Sequence, residues 1–176
     1  MRRSFIAIAL ALPLLVLAGP KLAMAQTSGE AAISFGGLQG NPNLPIDVTS
    51  QELTVDQAQG TAVFSGDVLV VQGEMRLSAD QVRVEYDDEA DKISKLFATG
   101  NVLLVNAADA AQSARAEYTV ASGEVVMMGD VSLIQGAATF TAERFVADIK
   151  TGLGRLEGGV TTRFAPKAAA GQGAEP

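Results

Sequence analysis

The fold is decided by the stretch Gly66-Asp67-Val68-Leu69-Val70-Val71, because its pattern returns further along the chain. It reappears as Gly100-Asn101-Val102-Leu103-Leu104-Val105 and as Gly129-Asp130-Val131-Ser132-Leu133-Ile134, with a weaker copy from Gly158 to Phe164. Glycine followed by Asp, Asn or Gly suits a tight turn with positive φ, and the alternating residues after it send side chains to one face of a strand. The repeats therefore predict antiparallel strand pairs that stack into one core, as a curled sheet or jelly roll.

The segments between these repeats mostly alternate as strands do. Val82 to Tyr86 and Phe140 to Ala142 have the period of two that is typical of half-buried strands. Gln72-Gly73 and Gln135-Gly136 predict a second set of matching turns. Residues 107–116 are the exception, because their alanine-rich composition fits a helical turn and a polar loop equally well.

The amino terminus has the organisation of a secretory signal. Arg2 and Arg3 are followed by an apolar run from Phe5 to Leu17 and by the small-x-small site Ala23-Met24-Ala25. This pattern predicts cleavage between Ala25 and Gln26. The alternative is an uncleaved membrane anchor, although the run is shorter than the ~20 residues that a spanning helix requires.

Composition divides the rest of the 176 residues into three parts. We expect residues 26–44 to be a mobile lead-in, in which Ile33 to Phe35 leave room for one short strand. We expect residues 45–164 to be the β domain and residues 165–176 to be a disordered tail. Residues 1–25 hold three of the 13 basic residues and no acid, so the remainder has ten basic and 20 acidic residues, a net charge of −10. That charge argues against binding to nucleic acid and against simple docking on an anionic membrane.

The missing residue types restrict the chemistry. The chain has no His and no Cys, which removes the commonest zinc ligands, cysteine nucleophiles and imidazole bases. Serine–lysine and paired-carboxylate arrangements remain open by composition, but no complete catalytic constellation can be named. We therefore predict no enzyme, no catalytic residue, no metal site and no cofactor. The acidic cluster Asp87, Asp88, Glu89 and Asp91 is compatible with calcium, although a solvated turn is more typical of such a run.

Three runs are apolar on both strand faces: Val68 to Val71, Val102 to Val105 and Val125 to Met128. A strand with one wet face should alternate. Two explanations remain open. Either these strands are buried on both faces, or one face packs the core while the other lines an apolar groove or meets another protein.

The chain resembles the OstA-like family, and the resemblance covers about residues 45–164. It rests on the order of six segments: Pro45 to Ser50, Leu53 to Asp56, Phe64 to Val68, Val71 to Gly73, Leu77 to Asp80 and Phe97 to Val102. Its length and signal are similar to those of the periplasmic members that bridge the two membranes in lipopolysaccharide transport. The resemblance implies an open, twisted β-jellyroll that acts in outer-membrane assembly in the periplasm of Gram-negative cells.

The resemblance further implies a lipid cargo and protein partners. Lipid A acyl chains would lie in an apolar groove, and edge strands would join copies head to tail and join inner-membrane-anchored and outer-membrane relatives. The recurring inward parity assigns these residues to the lipid-binding groove: Val68, Val70, Leu77, Val82, Val84, Phe97, Val102, Leu104, Tyr118, Val131, Leu133, Phe140 and Phe145. A bulge at Ala79-Asp80 would shift part of this set.

Two alternatives stay open beside the lipid carrier. One is the membrane-anchored relative of the same transport machine, and the other is a structural β-repeat protein that binds no lipid. The net charge fits a phosphate-bearing lipid less well, so local basic residues at the mouth of the groove are a further expectation: Arg76, Lys92, Lys95, Arg144, Arg155 and Arg163.

Overall fold

The computed structural model describes residues 33–34, 39–87, 92–107 and 109–165. The predicted signal at residues 1–25 and the tail beyond residue 165 lie outside these ranges, as do Asp88, Glu89 and Asp91 of the acidic cluster. Within the described ranges no helix is long and apolar enough to cross a membrane.

The described chain is built from strands in a single sheet. The elements are β1 (Ile33–Ser34), β2 (Asp47–Thr49), β3 (Glu52–Asp56), β4 (Thr61–Gln72), β5 (Met75–Tyr86), β6 (Ile93–Asn106), β7 (Asp109–Thr119), β8 (Glu124–Gln135), β9 (Ala138–Asp148), β10 (Leu153–Glu157) and β11 (Thr161–Phe164). Their order is β1-β10-β9-β8-β7-β6-β5-β4-β2, while β3 also pairs with β4 and β11 with β9. The antiparallel all-β prediction is confirmed.

The repeated Gly-Asp and Gly-Asn pairs do not turn the chain between strands, as the sequence analysis expected. They lie inside β4, β6 and β8, where the pairing register shifts, for example between Ser65 and Val68. The expected positive φ is present, with values of 77° at Gly100 and 48° at Asn101. Gly66 and Asp67 of β4 lie opposite the single residue Asp80 of β5, so the pair is a β-bulge that bends a continuing strand. The second set of turns, at Gln72-Gly73 and Gln135-Gly136, does join neighbouring strands.

The bulges bend each long strand so that its two halves face each other. We call residues 68–79, 102–113 and 131–142 layer A, and residues 61–65, 81–86, 93–99, 115–119, 124–128 and 144–148 layer B. Tyr118 of layer B lies nine residues along β7 from Asp109, about 30 Å of extended chain. Its hydroxyl nevertheless donates to Gln72 Oε1 of layer A at 2.9 Å. The apolar core therefore lies between the two layers.

Strand β7 corrects the expectation of a helical turn or loop at residues 107–116. From Asp109 onward the chain pairs with β6 on one side and β8 on the other. Ala111 and Ala116 face inward and are 0% and 4% exposed, so their small side chains fit among larger residues of the neighbouring strands. Tertiary pairing on both sides outweighs the weak strand propensity of alanine.

Residues 39–44, which the composition places in the lead-in, are bonded to the folded part. The Gly40 amide donates to the Ile149 carbonyl at 2.7 Å, and the Gln72 side chain donates to the Leu44 carbonyl at 2.9 Å. Strand β1 lies further back in the same segment and pairs with β10. The ordered fold therefore includes part of the segment before residue 45.

Candidate functional site

The candidate site is the apolar interior between layers A and B. Every residue assigned to the groove except Phe97 is buried there, each at most 8% exposed: Val68, Val70, Leu77, Val82, Val84, Val102, Leu104, Tyr118, Val131, Leu133, Phe140 and Phe145. The anticipated shift is present in β5, where the inward positions pass from Leu77 and Ala79 to Val82 and Val84. The structure therefore collects residues from six strands into one continuous apolar surface.

Phe97 lies on the opposite face, which corrects its place in the set. Its neighbours Leu96 and Ala98 are the inward residues at this point of β6. The Phe97 ring is paired across the strands with Arg83, whose guanidinium carbon lies 4.2 Å from the ring centroid. Inward parity is even on both sides of the Gly100-Asn101 bulge, so residue 97 points outward although it is large and apolar.

Further interior residues share the parity of the assigned set but were not included in it. They are Ala62, Met75, Leu96, Val125, Met127 and Ile149, all within the core. Met127 and Val125 stand two and four positions from the bulge of β8, in step with Val131 and Leu133 beyond it. Strict application of the alternation across each bulge would have identified most of them.

The interior is closed in this conformation. The cavity between the layers, lined by residues that include Val70, Leu77, Leu104 and Tyr118, has a volume of about 20 Å³. Such a space accommodates about one water molecule and is far too small for an acyl chain. A lipid can enter only if the layers separate or the core side chains rearrange.

Polar groups at the margin of layer A adjoin this apolar space. Gln72 and Asn106 are 3% and 2% exposed, and both donate their side-chain amides to main-chain carbonyls of residues 39–44. Burial raises the pKa of Tyr118 to about 12, so its hydroxyl remains protonated and bonded to Gln72 at neutral pH. These polar side chains hold the margin closed without interrupting the apolar surface.

The candidate basic residues are spread over the molecule and do not gather at one mouth. On the outer face Lys95 bonds Glu117 at 2.7 Å and Arg144 bonds Glu157 at 3.0 Å. The hydrogen bond with Glu117 raises the pKa of Lys95, and the hydrogen bond from Arg155 lowers the pKa of Glu157.

The remaining basic candidates lie at three separate places. Lys92 lines a cleft of about 450 Å³ with residues that include Leu44 and Val120, next to the margin of the interior. Arg76 lies beside the β4–β5 turn and donates to the Glu74 carbonyl, while Arg163 lies on β11. Within the described residues, no group of three or more acidic side chains is placed to hold a metal ion.

The two ends of the sheet expose different edge strands. At one end, β3 carries Leu53 and Val55, which are 53% and 57% exposed. At the other end, β11 pairs with β9 on one side only in the described chain and carries Phe164, which is 73% exposed. An unpaired edge with exposed apolar side chains is a template for adding another strand.

Comparisons with known proteins agree on a family and a fold. Residues 47–153 match the family model described as "LptA/(LptD N-terminal domain) LPS transport protein". Over 133 residues the chain is 29% identical to the lipopolysaccharide export system protein LptH of Pseudomonas aeruginosa, a match that covers 70% of this chain and 75% of that protein.

A solved structure extends the likeness to three dimensions. The crystal structure of LptH, described as the LptA homologous periplasmic component of the lipopolysaccharide transport device of Pseudomonas aeruginosa, superposes with a TM-score of 0.65. Sequence identity in that comparison is 21%, and the match covers 72% of this chain and 99% of the other. At this identity the likeness establishes a shared fold.

Proposed function

Since the family model matches residues 47–153, the chain belongs to the LptA/LptD N-terminal domain family of lipopolysaccharide transport proteins, and from that premise we propose how it carries its cargo. Its function is lipopolysaccharide transport in the periplasm, as a component that bridges the two membranes, and it is not an enzyme. The proposal concerns the site: the acyl chains of lipid A lie between layers A and B.

The observation that carries this proposal is the continuous apolar interior. Leu77, Leu104, Leu133 and Phe145 come from four strands and form one apolar surface along which a long chain can lie. Transfer of an acyl chain from water into such an interior gains about 0.8 kcal/mol per buried CH₂. A carrier of this kind binds by burial alone, which agrees with the absence of His and Cys from the chain.

Partners are proposed to bind at the edge strands. The β3 edge and the β11 edge differ in sequence, so joining one edge to the other makes a head-to-tail contact that does not close on itself. Such contacts would place copies of this chain, or its membrane-bound relatives, in one continuous sheet. Replacing Leu53 or Phe164 with Asp should reduce self-association measured by analytical ultracentrifugation, whereas Ile134→Asp, on the outer face away from either edge, should not.

Photo-crosslinking in cells tests the site. A photoreactive amino acid at Leu104 or Phe145 should capture lipopolysaccharide, because both side chains face the interior. The matched controls are the next positions on the same strands, Leu103 and Arg144, which face outward. Equal capture from both faces, or capture from the outer face alone, would overturn the groove assignment.

A structural role without lipid is the second candidate, and the closed interior favours it. A cavity of about 20 Å³ is what a fully packed core would show. Purified protein that retains its fold but takes up no lipopolysaccharide would support this alternative. Depletion in the native organism, with lipopolysaccharide location as the readout, separates the two roles in cells.

A further inference from the structure

The segment that precedes β2 crosses between opposite ends of the sheet. It leaves β1, which pairs with β10, and arrives at β2, which pairs with β4. On the way, residues 39–46, which we call the strap, pass between the free margins of layers A and B. Within the strap Ile46 packs against the core, whereas Asn41, Asn43 and Leu44 are exposed.

On the layer A side, the segment is held by three amide side chains that stand at equivalent positions of the repeat. Gln72, Asn106 and Gln135 each end a long strand and are 34 and 29 residues apart, the spacing of the first three bulge glycines. Gln72 Nε2 donates to the carbonyls of Leu44 at 2.9 Å and Pro42 at 3.1 Å. Asn106 Nδ2 donates to the Gln39 carbonyl at 2.9 Å, and Gln135 Nε2 to the Ser34 carbonyl at 3.3 Å.

These three residues, which we call the amide row, bind the segment through its main-chain carbonyls, and Gln135 Nε2 also donates to Asp109 Oδ2 at 3.1 Å. Their order along the segment is the reverse of their order in the sequence, because the segment passes β8, then β6, then β4. Each amide therefore binds the part of the segment that lies over its own strand. Equivalent positions at the ends of three long strands thus bind successive parts of one segment.

On the other side, next to layer B, the strap is held by fewer groups, which belong to the β9–β10 turn. The Gly40 amide donates to the Ile149 carbonyl at 2.7 Å, and Gln39 Nε2 donates to the Lys150 carbonyl at 3.2 Å. Gln72 also accepts from Tyr118 of layer B, so one side chain binds the strap and both layers. The strap and the amide row together tie the two margins to each other.

We propose that the strap is a releasable closure of the interior, and that its detachment from the amide row admits the lipid. This inference rests on the proposed function, because it assigns a gate to that same site. The core strands are held by continuous main-chain ladders, whereas the strap is held mainly by side-chain amides. Segments with few main-chain bonds to their neighbours open most readily, so the strap parts before the sheet does.

The inference also accounts for the size of the interior cavity. With the strap in place, the margins stay together and the space between the layers is about 20 Å³. Detachment of residues 39–46 leaves the pairing of β4 to β9 intact and removes the bonds through which the strap connects the two margins. The hydrogen bond from Tyr118 to Gln72, which joins the layers directly, must break as well. The layers can then separate along one side while the strands stay paired.

A reversible lock tests the closure. The chain has no cysteine, so Gln39→Cys with Lys150→Cys introduces the only two thiols. A short bis-methanethiosulfonate reagent forms a disulfide with each thiol, releases methanesulfinate, and so fixes the strap to the β9–β10 turn until a reductant is added. Fluorescent lipopolysaccharide should bind to the crosslinked protein with an apparent affinity about tenfold weaker, because the open population is removed. Cleavage of the crosslink should restore binding.

The matched control is a second pair that does not involve the strap. Arg144→Cys with Glu157→Cys joins two directly paired residues of β9 and β10 on the outer face. Crosslinking this pair should leave lipopolysaccharide binding unchanged. If the strap lock binds as well as its uncrosslinked form, the strap is not a gate and the inference fails.

A loosening variant supplies an independent measurement. Asn106→Leu removes the donor to the Gln39 carbonyl, and it should raise amide hydrogen exchange in residues 39–46 by about fivefold. Gln112→Leu, on the outer face of β7, should not change exchange there. If exchange in the strap is the same in both variants, the amide row does not hold the strap.

The two proposals can fail separately. If neither form of the strap lock binds lipopolysaccharide, the proposed cargo is wrong, and a small fluorescent apolar dye then tests the closure. Dye uptake that is blocked by the strap crosslink, together with faster exchange in Asn106→Leu, would still support a gate. Dye uptake that the crosslink does not alter would overturn it.

Discussion

The inner and outer faces of the sheet are made by the same strands but depend on different interactions. Leu104 and Leu103 are neighbours on β6; the first is 1% exposed and the second is partly exposed. The inner face is mainly apolar, whereas the outer face carries ion pairs such as Lys95–Glu117. Burial between the layers therefore stabilises the fold, while the outer face contributes mainly solubility and local contacts.

The runs that are apolar on both faces differ in burial between the two layers. In layer A the outward members of these runs remain accessible: Leu69 is 37% exposed, and Leu103 and Val105 are partly exposed. In layer B the outward residues Val126 and Val146 are 9% and 6% exposed. Strands in part of layer B are thus buried on both faces. The outer face of layer A is apolar in these runs but partly exposed to solvent.

The largest expected difference between the faces comes from the two adjacent leucines. Leu104→Ala removes a fully buried side chain from the closed interior and should lower the free energy of unfolding by about 3 kcal/mol. Leu103→Ala removes a partly exposed side chain and should cost less than about 1 kcal/mol. Urea denaturation measures both values. Equal losses would mean that the interior is not the main source of stability.

The bulges that separate the faces should be the next most sensitive feature. Gly100 has φ of 77°, and an added Cβ would collide with the Asp80 side chain, so Gly100→Ala should cost about 2 kcal/mol. The control is Gly136→Ala, because its φ of 57° carries the backbone penalty of about 1 kcal/mol but no atom lies within 4 Å of the added Cβ. Thermal denaturation should rank the two variants in that order.

A smaller effect is expected where a polar group meets the inner face. Tyr118→Phe removes the hydrogen bond to Gln72 and should cost about 1 kcal/mol near neutral pH. Burial raises the pKa of Tyr118 to about 12, so folding favours the protonated phenol. The resulting stability is complete below the ordinary tyrosine pKa of about 10 and is lost as the pH rises toward 12.

The pH dependence separates this residue from an exposed tyrosine. Between pH 10 and 12 the wild type should lose stability more steeply than Tyr118→Phe, so the difference between them should shrink. Tyr86→Phe, at a site that is 38% exposed, should keep the steep loss of the wild type. Parallel curves for wild type and Tyr118→Phe would contradict the assignment.

The smallest effect is expected on the outer face. Glu117→Gln breaks the 2.7 Å contact with Lys95, but exposed ion pairs contribute little, so the denaturation midpoint should not change measurably. The pKa of Lys95, which the hydrogen bond with Glu117 raises, should fall toward its ordinary value in an NMR titration. A clear loss of stability would show that ion pairs on the outer face contribute more to the free energy of unfolding than we expect.

The sequence was sufficient to predict strands and inward-facing side chains where the local pattern and the tertiary environment agree. Val82, Arg83, Val84 and Glu85 alternate between apolar and charged residues, and Val82 and Val84 face inward as predicted from that alternation. Residues 109–116 gave no such signal, because alanine has no strong preference for a strand and only the partners β6 and β8 impose one. Phe97 is the opposite case. Its large apolar side chain favours an inward position, whereas the alternation along β6 places it on the outer face.

The positive φ of the repeated glycine pairs followed from residue type, but their role as bulges did not. Whether a left-handed pair at Gly66-Asp67 reverses the chain or bends it depends on where the partner strand continues, which is a non-local property. The position of the strap could not be predicted from the sequence either. Gln72 and Asn106 bind main-chain carbonyls, so the segment that they hold needs no recognisable side-chain pattern.

The strand order has a consequence for the sequence of folding events. From β4 to β9 each strand pairs with its neighbour in the chain, so these hairpins require only short loops to close. The pairing of Ile33 with Gly154 joins positions that are far apart in the chain, and such a closure is entropically costly until the intervening strands are in place. The part of the described chain that is synthesised first should therefore be the last to reach its native position, and refolding followed by pulsed hydrogen exchange should find β1 protected after β6 and β7.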